Sequence, residues 1–262
     1  VEGLATEYSV DGTTVTMTFR EGAMFHNGEE MTASDFVATY ERFVVQDSEY
    51  YPGETYISGY GTYTFGVVDS VTETGEYEVE LELEKQFAPI LRNISMFCSG
   101  ILSETAIQEK GTDLATEPVG TGPFVFESWD QGNQRIRLSK NEEYWGETAK
   151  VDEVVFTAIG SNQTRAQTLD TGDVDIIDGL GAQSSQLVEN SSNAELVRKP
   201  GINIGYMAFN MPRVEAFRSK KVRKAISYAI DTEAIVETIF KGIAEQASQP
   251  IPSNVLGYNE EL

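Results

Sequence analysis

Apolar and polar residues alternate with a period of two in three places. Near the start, Val15, Met17 and Phe19 interleave with Thr14, Thr16, Thr18 and Arg20. That spacing predicts a half-buried strand. Val10-Asp11-Gly12-Thr13 ahead of it reads as a hairpin, with Asp-Gly as a type I′ pair. Glu21-Gly22 ends the strand, and Asn27-Gly28 marks another tight turn. In the run from Glu76 to Glu84, Tyr77, Val79, Leu81 and Leu83 fall on one face and five glutamates on the other. This predicts an antiparallel strand with one wet face, and the glutamate row reads as solvated rather than metal-binding. A third alternating pair is Phe124-Val125-Phe126 and Arg135 to Leu138, joined by a turn at Asp130 to Asn133.

Elsewhere the period lengthens to that of a helix. Thr32-Ala33-Ser34-Asp35 has the form of a capping box with Asp in place of Glu. Behind it Phe36, Tyr40, Phe43 and Val44 share one face, which predicts packing on a core. A helix is expected after Pro89 to about Phe97, and another from Ser103 through Ile107. Between them lies a different texture. Glu49 to Phe65 holds Tyr50, Tyr51, Tyr56, Tyr60 and Tyr63 among Gly53, Gly59 and Gly61. Such a loop suits an adaptable contact surface. An ordinary surface loop with a few anchoring rings is the preferred reading for most of these tyrosines, and Tyr56 is kept as a candidate ligand contact.

Val151 to Leu180 reads as strand, helix, strand. Val154 to Phe156 is the first strand, Ser161 an N-cap, Thr164 to Thr171 the helix, Gly172 its end and Val174 to Ile177 the second strand. Such a unit predicts parallel strands and a right-handed crossover. Ligands in open α/β sheets sit beyond the carboxyl ends of the strands, here Gly160-Ser161-Asn162 and Asp178 to Gln183. Further strands are expected at Leu196 to Arg198 and Ile202 to Phe209, separated by Pro200-Gly201 as at a crossing between lobes. Val222, Ala225, Ile226, Ala229 and Ile230 then predict a core-facing helix. Its basic start, Arg218 to Lys224, opposes the helix dipole and is either a solvated face or an anion contact. Asp231 caps a last helix, Thr232 to Phe240, ended by Gly242, and Pro250 to Leu262 has no clear partner.

The chain has 262 residues, 40% of them hydrophobic, enough for a large core and two domains. Its formal net charge is −23. Residues 1–117 hold 5 basic and 22 acidic side chains, and the rest 14 and 20. That balance argues against nucleic acid and against an anionic membrane surface as partners. No apolar run approaches the ~20 residues of a membrane span. Cys98 stands alone in an apolar stretch and is expected to be a small buried residue. His26 is the one histidine, so a histidine-rich metal site or a triad has almost nothing to draw on; it is expected to hydrogen-bond structurally. Asp170, Asp173, Asp175 and Asp178 do not have the spacing of an EF-hand. Serine-hydrolase, nucleotide-binding and zinc-protease motifs are absent.

The chain is organised around Glu117 to Gly146. Gly120 and Gly122 can take backbone angles closed to other residues, and Pro123 fixes its own φ, so the loop is expected to be a shaped lead into a sheet. No Lys-Ser/Thr follows to make it a phosphate cradle. GTGPF, the W-x-x-G strand pair and N-x-x-YW resemble the middle of the bacterial extracellular solute-binding proteins of the peptide/nickel/opine type, family 5. Three more stretches match in the family's order: VTMTFREGAMFHNGEEMTASDFVATYER at 15–42, TGDVD at 171–175 and YMAFNMPRVEAFRSKKVRKAISYAID at 206–231.

The resemblance implies an α/β fold like the periplasmic binding proteins, type II and cluster C-like, with several lobes and truncated at both ends. It implies a smaller variable lobe at 1–117, part of a central lobe at 118–199, and the start of a second ligand lobe at 200–262. It further implies an extracytoplasmic protein, at the periplasm or cell surface and often lipid-anchored. Such a protein closes as a monomer on a peptide and delivers it to the permease of an ABC importer. A nickel chelate or another small solute is the alternative cargo, and an enzyme of unrelated class the remote one. No catalytic residue, cofactor or metal is expected. By position, the candidate ligand contacts are Gly179, Leu180, Gly181 and Ala182 at the strand end, Asn203, Ile204, Gly205 and Tyr206 at the crossing, and Tyr56.

Overall fold

The computed structural model describes residues 3–54 and 59–261. The chain divides into two compact units, Val1–Ala158 and Ile159–Leu262. The first unit holds two antiparallel sheets. Strands β1 (Ala5–Asp11), β2 (Thr14–Phe19), β3 (Val68–Gly75) and β4 (Glu78–Leu83) form one, in the order β1-β2-β4-β3. Val15 pairs with Leu81 and Met17 with Val79, so the apolar sets of the two central strands share a face, and all four side chains are buried. The other face is wet as expected, and Thr13 and Thr14 donate to Glu82 at 2.6 and 3.0 Å. The first hairpin forms one residue later than expected. Type I′ needs positive φ at both central residues. The turn is Gly12-Thr13, and only Gly12 has positive φ, at +65°.

Helix α1 (Ala33–Val44) lies on that apolar face, and a second short helix, α2 (Tyr60–Phe65), emerges from the tyrosine-rich loop where none was expected. Phe36 meets Phe19 at 5.3 Å between ring centres and Phe65 at 6.1 Å, edge on. The capping box forms: the Asp35 carboxylate accepts from the Thr32 backbone N–H at 2.8 Å. The same carboxylate accepts from the Glu104 N–H at 2.8 Å and so ties α1 to α4 (Glu104–Lys110). Burial raises the Asp35 pKa despite these two donors. Ser103 caps α4 through the Ala106 N–H, and the helix after Pro89 is a short α3 (Ile90–Ile94) followed by a 3₁₀ turn at Phe97–Ser99. Cys98 in that turn is half-buried rather than buried, its sulfur 3.2 Å from the Thr64 hydroxyl.

The second sheet is β5 (Phe124–Asp130), β6 (Arg135–Lys140) and β7 (Glu153–Thr157), in that order and all antiparallel. This corrects the expected parallel unit: the strand at Val154 to Phe156 forms, but it pairs antiparallel with β6.

The second unit is mostly helical: α5 (Asn162–Thr171), α6 (Ala182–Glu189), α7 (Lys220–Ala229) and α8 (Thr232–Thr238). Ser161 caps α5 and Asp231 caps α8 through backbone N–H groups three residues on, and Gly172 ends α5 with left-handed φ of +77°. The three strands expected here do not form. Val174 to Ile177, Leu196 to Arg198 and Ile202 to Phe209 pair with no described residue in a sheet. Periodicity reports which side chains seek burial, whereas a strand also needs a neighbour for its ladder. Their side chains are covered unevenly: Ile176 is 87% and Ile202 70% exposed, while Leu196, Ile204 and Phe209 are half-buried. The α7 stripe is likewise incompletely covered. Val222 and Ile226 are half-buried, and Ala225 and Ala229 are exposed.

Candidate functional site

The Gly-Pro loop is held from four directions. The His26 backbone N–H donates to Gly120 O at 2.9 Å. Its ring accepts from the Gly120 N–H at Nδ1 (3.4 Å) and reaches Gly122 O with Nε2 (3.0 Å). Those two partners fix the neutral tautomer with the proton on Nε2, which donates. Asn141 Nδ2 also donates to Gly122 O at 3.0 Å, and Trp145 Nε1 donates to Thr121 O at 3.1 Å. The Arg20 guanidinium stacks 4.8 Å over the Trp145 ring. Arg20, His26, the loop, Asn141 and Trp145 thus form one knot, with His26 in a structural role as expected. The His26 ring, Asn141 Nδ2 and Trp145 Nε1 all bond to the backbone of the loop, so the knot sets its shape.

The candidate ligand contacts lie in the second unit, apart from Tyr56, which lies outside the described residues. At the expected strand ends, Arg165 Nη2 donates to Gly179 O at 2.9 Å and to Asn162 Oδ1. This one side chain brings the two segments together. Gly179 has φ of +72°, a conformation that favours glycine. Gly181 precedes α6, and its carbonyl accepts from the backbone and side chain of Ser185 at 3.0 and 3.1 Å. A Cβ on Gly181 would meet Asn162 Nδ2 at 3.0 Å. Sequence reasoning missed Arg165; its position one turn beyond an N-cap at a strand end was the available signal.

Ile204, Gly205 and Tyr206 line a different hollow, a groove of about 560 Å³ walled also by Ile202 and by Ala247 to Pro250. Asn203 and residues 179–182 are not on its wall. Tyr206 is 84% exposed, and a Cβ on Gly205 would meet open space. The tail beyond Pro250 does find partners: Asn254 Nδ2 donates to Pro200 O at 3.1 Å, and Gln249 Nε2 to Asn259 O at 2.7 Å.

In the first unit the tyrosine-rich loop borders a hollow of about 350 Å³ beside Arg42, Tyr50, Tyr51 and Gln108. Arg42 is committed to the carbonyls of Gly111 and Tyr50 at 2.8 and 3.3 Å. The Tyr50 hydroxyl donates to Glu104, which pushes its pKa up to about 12. These groups anchor the loop. Among the described residues no cluster of three His, Cys, Asp or Glu could hold a metal, and no helix is long and apolar enough to cross a membrane.

Comparison with known proteins places this architecture. Residues 1–262 match the family described as bacterial extracellular solute-binding proteins, family 5, middle. The chain belongs to that family. The glutathione-binding protein GsiB of Salmonella paratyphi A is 30% identical over 96% of this chain and 48% of its own length. The dipeptide-binding protein of Escherichia coli K12 is 27% identical over 100% and 51%. Among solved structures, the periplasmic binding protein DppA of Helicobacter pylori, in complex with the peptide STSA, superposes with a TM-score of 0.85 at 29% identity. It does so over 99% of this chain and 53% of its own. The oligopeptide-binding protein AppA of Bacillus subtilis, bound to a nonapeptide, gives 0.77 at 28%, over 98% and 50%. The fold is therefore that of the periplasmic binding proteins, and the chain spans about half the length of these relatives.

Proposed function

We propose that this chain is part of the solute-binding subunit of an ABC importer. It works outside the cytoplasm, binding peptides and delivering them to a membrane permease. The observation that carries this reading is the family match over the whole chain, joined by relatives named for dipeptides and di/tripeptides and by neighbours solved with bound peptide. The protein binds its cargo and does not transform it, which suits a chain whose one histidine is bound to its own backbone.

Residues 1–117 act as the smaller lobe, 118–199 as part of the central lobe and 200–262 as the start of the second ligand lobe. Gly179 to Ala182 and Asn203 to Tyr206 offer contacts, and Tyr56 adds one from the variable lobe. The backbone at 203–208 joins no sheet among the described residues, and its N–H and C=O groups suit pairing with an extended peptide. Relatives named for glutathione and heme favour a second reading, a small solute other than a standard peptide.

Native mass spectrometry of the full-length protein, purified without denaturant, tests the cargo. A ladder of co-purified masses that fragment as peptides is expected. A single metal-chelate or other small-molecule mass would replace the peptide reading by the second. A Gly205→Leu variant tests the placement: peptide affinity falls while the melting temperature holds, because the added side chain enters open space. Unchanged affinity would remove residues 203–206 from the site.

A further inference from the structure

An Asp or Asn followed by Gly or Ser can cyclise on itself, because the small second residue leaves its amide nitrogen open to the preceding side-chain carbonyl carbon. The chain has such pairs at Asp11-Gly12, Asn27-Gly28, Asp47-Ser48, Asp69-Ser70, Asp178-Gly179 and Asn190-Ser191. Most are held apart. The Gly28, Ser48 and Ser191 N–H groups donate to the backbone carbonyls of Phe25, Val45 and Val188 at 2.9, 3.0 and 3.1 Å. The Asn27 side chain is engaged as well, its Nδ2 donating to Glu29 at 2.7 Å and to Ser103 at 3.2 Å. Asp11 and Ser70 pair within the first sheet, with Thr14 and Glu82. At the remaining pair the second amide faces the first side chain: the Gly179 N–H donates to Asp178 Oδ1 at 2.7 Å. That contact sets the carboxyl carbon, one bond from Oδ1, beside the nitrogen. The preceding stretch, Val174 to Ile177, pairs with no described residue in a sheet, so no ladder stops the peptide plane from turning.

From this geometry we propose that Asp178-Gly179 is a site of self-modification, at which the chain converts to isoaspartate and lets go of Arg165. The Gly179 nitrogen forms a bond to Asp178 Cγ, and the Cγ–Oδ1 bond breaks. Oδ1 takes the hydrogen of the amide it already faces, together with the proton of the carboxyl in its acid form, and leaves as water. The product is a five-membered succinimide. Water then opens the ring. Attack at Cγ restores aspartate, and attack at the main-chain carbonyl carbon routes the backbone through Cγ. Water is the sole co-reactant, and nothing is oxidised or reduced. The isoaspartyl route adds one methylene to the main chain ahead of Gly179, whose carbonyl accepts from Arg165 Nη2 at 2.9 Å. The same Arg165 nitrogen donates to Asn162 Oδ1, so the added length loosens the tie between the two segments. The modification stands on geometry alone; its effect on cargo rests on the proposed function, which puts Gly179 to Ala182 at the ligand.

The test ages the full-length protein, folded and warm, and follows its digest by chromatography and electron-transfer fragmentation. The peptide holding Asp178-Gly179 should split into two species of equal mass, one with the isoaspartyl fragments, beside a transient one lighter by a water. Conversion there should run severalfold ahead of that at Asn27-Gly28, reversing the order of free peptides, in which Asn-Gly is the more reactive pair. Unfolding the protein before ageing should restore the ordinary order. An Asp178→Glu variant, whose ring would need a sixth member, should stay a single species. No isoaspartate at Asp178 in the folded protein, or a rate below that at Asn27-Gly28, would overturn the proposal. Peptide titration of the aged protein separates it from the functional reading. The binding-competent fraction should fall in step with the converted fraction, and Asp178→Glu should age without that loss. Conversion with binding intact would uphold the modification and remove residues 179–182 from the ligand site.

Discussion

The two units solve the same problem of apolar sequence in different ways. In the first, strands β2 and β4 find each other, and α1 covers the face they share. Of the buried hydrophobic residues described, all but Ala166 and Val188 belong to this unit. In the second, the helices are capped as well as those of the first. Yet several apolar residues outside them are left in the open, Tyr206 and Leu256 among them. Local signals are therefore met in both units, and burial in only one. Capping and turn chemistry act over three or four residues, whereas burial needs a partner from far along the chain.

The contrast is sharpest at Phe36. Truncation to Ala opens a cavity between the rings of Phe19 and Phe65 and is expected to cost about 3–5 kcal/mol in urea unfolding. Both tryptophans, Trp129 and Trp145, lie in the first unit, so their fluorescence follows that unit directly. Asp35→Ala leaves the Thr32 and Glu104 N–H groups without their acceptor and should cost about 2–3 kcal/mol by the same assay. His26→Ala removes two hydrogen bonds from the Gly-Pro loop, an expected loss of about 2 kcal/mol. If it cost nothing, the knot would not be holding the loop.

Effects in the second unit should be smaller. Arg165→Ala releases Gly179 O and Asn162, for about 1 kcal/mol, and its clearer readout is weaker peptide binding by the full-length protein. Ile202→Ala removes a side chain that covers little and should shift stability by no more than about 0.5 kcal/mol. A loss near that of Phe36→Ala would erase the distinction between the units.

The same distinction explains what could be read from the sequence. Val15, Met17 and Phe19 announced their strand because its period matches a face that is truly buried. Ser103, Ser161 and Asp231 announced their helices because a cap is a contact between near neighbours. The knot was readable in pieces only. His26 and Gly120 stand 94 residues apart, and nothing in either motif says that they meet. The strand expected at Ile202 to Phe209 failed for the converse reason: its pattern is that of a strand, but no described residue pairs with it. Helix α2 was hidden by glycines in a tyrosine-rich stretch. The groove wall at Ala247 to Pro250 carries no periodic signal at all. Of the candidate contacts, Gly179 to Ala182 were placed by an argument about strand ends, and Arg165, which draws those segments together, went unnoticed.

Hydrogen exchange of this 262-residue chain, read peptide by peptide, tests the contrast most directly. Amides of Val15 to Phe19 and Val79 to Leu83 should exchange only through global opening of the first unit, and those of Ile202 to Phe209 close to the rate of an unstructured chain. Equal protection of the two sets would show that the second unit closes a core of its own and would contradict the account.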